Sequence, residues 1–377
     1  MQYFFPQLRK DPRAAWIAAF ALALTLVALP WIAGHFGNAW IRVLAFACLY
    51  VMLALGLNIV VGFAGLLDLG YIAFYAVGAY MYALLASPHL TQQFAWIAQA
   101  FPNGLHLSIW LVVPFGAAIA AFFGILLGAP VLKLRGDYLA IVTLGFGEII
   151  RIFINNLNSP VNITNGPQGI TLIDPITIAG VTFSKTINFI GYEVSSLVLY
   201  YYLFLVLTIF TVVICIRLQD SRLGRAWMAI REDEIAAKAM GINVRNVKLL
   251  AFALGATFGG VAGAMFSAFQ GFVSPESFVL SESIIVLAMV VLGGIGHIPG
   301  VIVGAVLLAV LPEFLRDFVE PAQVFLFGRI FLEAEILRMM LYGLAMVLIM
   351  LYRPKGLWPA PEHGVNPVVQ RHSRLAA

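Results

Sequence analysis

Residues 221–248 read SRLGRAWMAIREDEIAAKAMGINVRNVK, and charge crowds into them as it does almost nowhere else in the chain. Between positions 217 and 248 stand Arg217, Asp220, Arg222, Arg225, Arg231, Glu232, Asp233, Glu234, Lys238, Arg245 and Lys248. Over all 377 residues only 11% are charged and 62% are hydrophobic, with a mean hydropathy of +0.96. Globular domains carry roughly 25% charged residues, so a surface this poor in charge is one that lipid solvates. The segment is therefore a polar outcrop of an integral membrane protein. Its own pattern is helical: Leu223, Trp227 and Ile230 recur at spacings of four and three, an apolar face under a polar one. REDEIAAKAMG then places acids early and Gly241 at the end, the order of a second short capped helix. Its mixed signs suit a protein partner better than a membrane surface, where Lys and Arg dominate the polar face.

Working outward, a spanning helix needs roughly 20 mostly apolar residues. Ten stretches qualify: 14–34, 40–61, 64–86, 107–131, 138–157, 195–217, 249–270, 280–296, 298–315 and 335–352. The fold class is all-α polytopic, with eight to ten transmembrane helices. The first apolar run has the length of an anchor, and no small-x-small cleavage site follows it. The third stretch, LLDLGYIAFYAVGAYMYALLA, carries Asp68 and several glycines and reads as a broken or re-entrant segment. With the N-terminus inside, Arg9, Lys10, Arg13, Lys133, Arg135, the seven basic residues of 217–248, Arg353, Lys355, Arg371 and Arg374 share the cytoplasm. The loops 87–106 and 158–194 then fall outside with Lys185 as their one basic residue. The organisation expected is a cytoplasmic N-terminus (1–13), a membrane domain (14–352) containing a cytoplasmic loop (218–248), and a cytoplasmic tail (353–377), multi-pass with both termini inside.

Ala251, Gly255, Gly259, Gly263 and Ser267 repeat every four residues, as do Gly296, Gly300 and Gly304. Small faces of this kind let helices approach closely in lipid; static packing and a sliding interface both need them. Enzymatic constellations are missing. The six histidines have no paired-ligand spacing, and no GxSxG elbow or GxxxxGK[ST] loop occurs. Cys48 and Cys215 lie inside apolar runs, away from any disulfide framework or metal cluster. No basic patch interleaved with aromatics points to nucleic acid. Uphill work must draw on a partner or an ion gradient. Ionisable residues inside spans are functional candidates: Asp68, with Asn58 as a nearby polar group, and the Glu148–Arg151 pair, three apart on one helix. Each admits two roles, structural or lining a polar passage. So few buried carboxylates speak against an ion-coupled carrier working alone, a class that remains the alternative.

The blocks GLNIVVGFAGLLDLGYIAF (56–74), LRGDYLAIVTLGFGEIIRIF (134–153), TNGPQGI (164–170), GRAWMAIREDEIAAKAMGI (224–242), SAFQGFVSPESF (267–278), VVLGGIGHIPG (290–300) and RPKGLWP (353–359) occur in an order that resembles the membrane subunits of bacterial ABC importers, most closely the M-type permeases for branched-chain amino acids. The resemblance implies an inner-membrane permease fold in which 218–248 is a coupling-helix loop. It implies a homologous second permease, two cytoplasmic ATPases that hold ATP and Mg, a periplasmic solute-binding protein, and no cofactor or covalent chemistry in this chain. Gly224, Arg225, Arg231, Glu232, Glu234, Ala236, Ala237 and Gly241 would form the ATPase-coupling segment, with Ile235 inserted after the glutamate of the Glu-Ala-Ala-x-x-x-Gly signature. The implied cargo is leucine, isoleucine or valine, moved by alternating access, with urea or amides as the nearest alternative. Asp68 stands where the resemblance expects a small polar residue, and 312–336 is longer than expected before the last span.

Overall fold

The computed structural model describes residues 12–102, 104–132, 134, 136–178, 180–189, 192–327, 333–353 and 356–358. Residues 1–11, Lys133, Arg135, Lys355 and the tail beyond 358, on which part of the charge sidedness rests, lie outside the described residues. The chain is a multi-pass membrane protein. Its helices are α1 (Pro12–Gly34), α2 (Asn38–Asn58), α3 (Ile72–Leu85), α4 (His89–Gln93), α5 (Ala95–Ala100), α6 (Ile109–Val131), α7 (Asp137–Asn156), α8 (Ser196–Asp220), α9 (Arg222–Glu232), α10 (Glu234–Ala239), α11 (Val244–Gln270), α12 (Leu280–Gly293), α13 (Ile298–Phe314), α14 (Glu320–Phe327) and α15 (Ala334–Tyr352). Among the described residues, seven helices are long and apolar enough to cross a membrane. The other three expected spans correspond to α7 and to the shorter apolar helices within 72–85 and 336–349. The 158–194 connection holds two small antiparallel hairpins, β1 (Thr177–Ile178) with β2 (Val181–Thr182) and β3 (Ile187–Phe189) with β4 (Tyr192–Val194).

The core is built around α2 and α11. From Val51 to Asn58 every residue of α2 is buried, so this helix is hydrophobic all round and runs through the middle. α11 makes its most extensive contacts with α6 and α3. Its small residues divide between neighbours: Gly255 faces Gly56 and Val60, Gly259 faces Tyr71 and Phe74, Gly263 meets the backbone of Tyr75, and Gly260 meets Ala120 of α6. Aromatic and aliphatic side chains of α6, α7 and α8, among them Phe122, Ile141 and Phe210, stand exposed as a lipid-facing belt. α1 lies outside this core, with Trp16, Ile17 and Phe20 exposed, and its carbonyls at Leu26 and Val27 accept from Tyr201 and Tyr202 at 2.8 and 2.9 Å.

The third stretch is broken, as expected, and not one helix over 64–86. After α2 the chain passes through one π-helical turn, Ile59–Phe63, and an irregular stretch before α3 starts at Ile72. That break is mostly buried, with Gly65 and Leu67 exposed, and side chains satisfy its backbone: Asp68 Oδ1 accepts from Gly70 N at 2.9 Å, Thr143 Oγ1 from Leu69 N at 3.0 Å, and Ser283 Oγ from Ile72 N at 3.2 Å. Irregular backbone is tolerated at membrane depth only under such cover. Within the charged segment, α8 runs on to Asp220 and α11 begins at Val244, capped by Asn243.

Candidate functional site

α9 and α10 cap the charged end of the bundle. Ser221 accepts from Gly224 N at 3.1 Å and starts α9, whose Gly224, Trp227 and Ile230 are buried. Gly224 is required by close approach: a Cβ there would lie 2.3 Å from Leu218 O and 2.4 Å from Gln219 O. Trp227 is fully buried and donates Nε1–H to Val247 O at 2.7 Å, bolting α9 to the start of α11. Asp233 turns the chain and caps α10, accepting from Ile235 N and Ala236 N at 2.8 and 3.0 Å. Gly241, at φ +84°, ends it in the left-handed region where a side chain is strained.

The loop's charges divide by direction. Arg225 and Glu232 stand exposed, Arg225 with its guanidinium on Asp220 O at 2.7 Å. Glu234 turns back to Lys248 of α11, forming an ion pair at 2.8 Å in which the lysine side chain is 8% exposed. The glutamate of the signature therefore holds α10 to α11, a contact across fourteen positions that spacing does not disclose. Arg231, also exposed, turns its guanidinium to the bundle and donates from Nη1 to Gly62 O at 2.6 Å. Gly62 lies in the π turn that ends α2, where carbonyls lack helical partners and a cation is favoured. The Arg231 stem packs close to Gly65 and its Nη1 close to Gly296. α10 leaves apolar side chains outward beside the exposed Lys238: Ile235 is 73% exposed and Met240 83%, with Ala236 and Ala239 exposed between them and Ala237 buried beneath.

The polar residues inside the bundle are bonded separately. Asn58 Oδ1 accepts from Gly296 N at 2.9 Å, tying the end of α2 to the turn between α12 and α13, so its partner is not Asp68. Asp68 is buried in the break beside Thr143. Glu148 and Arg151 pair with each other on α7 at 2.9 Å, both half-buried. Removing one member of such a pair leaves the other uncompensated, whereas removing both does not. Glu148→Ala alone is therefore expected to lower folded yield more than Glu148→Ala with Arg151→Ala, measured by fluorescence-detected size exclusion; equal losses would mean that the pair is not structural. Beside Gly296, the 356–358 segment lies across α12: Leu357 N and Trp358 N donate to Leu292 O and Gly293 O at 2.9 and 3.1 Å. His297 Nδ1 carries the proton that meets Trp358 O at 2.9 Å, and burial lowers the pKa of this ring, which keeps it neutral.

A family model described as branched-chain amino acid transport system / permease component matches residues 39–350. The chain belongs to this family. The matched range takes in the π turn, the buried break and both loop helices, so the geometry above lies within the family's own frame. The chain is 43% identical over 352 residues to the high-affinity branched-chain amino acid transport system permease protein LivM of Escherichia coli K12, covering 90% of this chain and 74% of that protein. It is 42% identical over the same length and shares to LivM of Salmonella typhimurium LT2. It is also 25% identical over 321 residues to LivH, another permease protein of E. coli K12, covering 83% of this chain and 92% of that protein. No solved structure matches the chain. Like the rest of its family, the chain is a transport subunit and not an enzyme.

Sequence reasoning placed the loop but missed the groups it touches inside. Gly62, Gly296 and Lys248 carry no signal of their own, because each matters through a tertiary contact with a loop or helix-end residue. Tyr71 was missed too; its hydroxyl donates to Gly255 O at 2.9 Å in a fully buried position. A tyrosine following an acidic, glycine-containing break was the available hint.

Proposed function

We propose that this chain is one of two homologous membrane subunits of an ATP-driven importer that moves leucine, isoleucine and valine through the bacterial inner membrane by alternating access. The observation that carries the reading is the family match over residues 39–350, with relatives whose names describe branched-chain amino acid permeases. Similarity to both LivM and LivH supports a homologous second permease as partner. On this reading both termini and the 221–243 loop face the cytoplasm, and a periplasmic solute-binding protein delivers the amino acid. ATP and Mg reside on two partner ATPases, and this chain holds no cofactor. The face of Ile235, Ala236, Ala239 and Met240 docks into the ATPase, with Gly224, Arg225, Glu232, Glu234, Ala237 and Gly241 shaping or flanking it. Arg231 carries the displacement inward to Gly62. Asn58, Asp68, Glu148 and Arg151 remain the polar residues of the bundle that bear on the path.

The test is uptake of labelled leucine by cells that lack their own branched-chain system and express the chain with a second permease, both ATPases and the binding protein. Uptake should be competed by isoleucine and valine and abolished when the ATPases cannot hydrolyse ATP. Competition by urea but not by valine would assign another cargo, and uptake without any ATPase would make the chain an ion-coupled carrier. Burial of an aliphatic side chain contributes about 1.5–3 kcal/mol. Ile235→Asp with Met240→Asp is therefore expected to weaken ATPase association roughly tenfold or more, measured by co-purification, with the chain still inserted.

A further inference from the structure

A cleft of about 690 Å³ opens at the charged end of the bundle, between the end of α6 and the corner where α10 meets α11. Its walls differ in chemistry. One is apolar, formed by Ala129 and Leu132; the other carries Glu234, Lys238, Arg245 and Lys248. Glu234 and Lys248 neutralise each other at 2.8 Å. Lys238 and Arg245 are exposed and pair with no carboxylate among the described residues, which leaves two uncompensated cations facing the cleft. The apolar wall does not stop at the rim. Phe122, Ile125, Ala129 and Leu132 recur at spacings of three and four on α6, and Phe122 and Ile125 are 62% and 46% exposed on the lipid-facing belt. A ligand that fits both walls has a negatively charged head beside Lys238 and Arg245 and a hydrocarbon tail along this stripe.

We propose that the cleft binds a phospholipid with an anionic headgroup, its phosphate against Lys238 and Arg245 and its acyl chain on the α6 stripe. A soluble phosphate would use the cations but leave the stripe bare. A docked protein segment would use the cleft from the aqueous side, whereas the apolar wall runs into the membrane. Basic clefts between membrane helices are recurrent sites for such headgroups, and each cation near an anionic surface contributes a factor of about 5 in binding. Because α10 forms one side, bound lipid touches the helix that also presents Ile235 and Met240. The inference stands on the cleft and its charges and holds whatever the cargo is.

The experiment uses the full chain purified with its partner subunits in micelles containing phosphatidylcholine with or without phosphatidylglycerol, and reads bound lipid by native mass spectrometry. The expected result is phosphatidylglycerol retained in preference to phosphatidylcholine. Lys238→Ala with Arg245→Ala should reduce that retention about 25-fold, with the ATPases still bound. Ala129→Trp, which fills the apolar wall and leaves the charges alone, should reduce it as well, so a folding defect in one variant does not decide the matter. Unchanged retention in both variants would overturn the proposal. So would loss of the ATPases with lipid retention intact, which would assign the cleft to a protein partner. Inorganic phosphate raising the thermal midpoint as much as phosphatidylglycerol would assign it to a free anion, overturning the lipid reading.

Discussion

Replacing Arg231 by alanine is expected to leave the importer assembled and hydrolysing ATP while amino-acid uptake falls by a factor of ten or more. The side chain belongs by sequence to the loop but by contact to the bundle, since its Nη1 donates to Gly62 O at 2.6 Å. That carbonyl lies in the π turn after α2, a largely buried helix, and Asn58, which precedes the turn, bonds Gly296 between α12 and α13. One guanidinium thus links the loop to α2 directly and to the α12–α13 turn through it. A hydrogen bond from a charged donor contributes about 1.5–3 kcal/mol, or roughly 10- to 100-fold in an equilibrium that depends on it. If alternating access requires the loop to pull α2, losing the link dissipates the stroke. Glu232 provides the contrast: both residues are exposed, but it is Arg231 that bonds the bundle. Glu232→Arg should weaken ATPase association without uncoupling the ATPases that remain bound, and Arg231→Lys should recover part of the uptake because an ammonium can still reach one carbonyl. Uptake and ATP hydrolysis measured together in proteoliposomes decide it. Proportional loss of both in Arg231→Ala would remove the transmitting role and leave Arg231 as one more docking residue.

The contrast between these neighbours shows what could and could not be read along the chain. Where the helices lie was legible, because lipid demands long apolar runs and the ten expected stretches each hold a helix. The buried break was legible in outline, since Gly62, Gly65, Asp68 and Gly70 cannot form a comfortable helix together. The loop helices were legible from the spacing of Leu223, Trp227 and Ile230 and from the early acids and final Gly241 of REDEIAAKAMG. The direction of each charged side chain was not. Arg231, Glu232 and Glu234 look alike as charges in a polar segment, but one bonds Gly62 of the bundle, one faces outward and one turns to Lys248. Side-chain direction depends on where distant backbone presents a free carbonyl or an opposite charge, and local spacing carries no record of that. The same limit hid the cleft, whose two walls are more than a hundred residues apart in the chain.

The second large effect is expected at Gly263, where even alanine should prevent the membrane domain from folding. A Cβ at this position would lie 2.0 Å from Tyr75 O and 2.8 Å from Ala79 N, both backbone atoms of α3. No rotamer change relieves contact with backbone, so the whole helix must move, and the buried Tyr71 hydroxyl on Gly255 O ties the start of α3 to α11 along the same seam. Ordinary overpacking of a core costs about 1–3 kcal/mol as side chains shift; here a seam between two entire helices must open. Without a hydrophobic drive between helices in lipid, such close packing is itself the main attraction, so opening the seam removes what holds α3 against α11. Gly145 on α7 supplies the control, because nothing lies within 4 Å of a Cβ built there. Gly145→Ala gains about 1 kcal/mol of helix propensity and should fold at least as well as the parent. Fluorescence-detected size exclusion of the two tagged variants separates the outcomes: Gly263→Ala is expected to run as aggregate, Gly145→Ala as a single sharp peak. A folded Gly263→Ala that transports normally would mean that α3 and α11 slide apart at little cost, and the small residues along α11 would then serve motion rather than static packing.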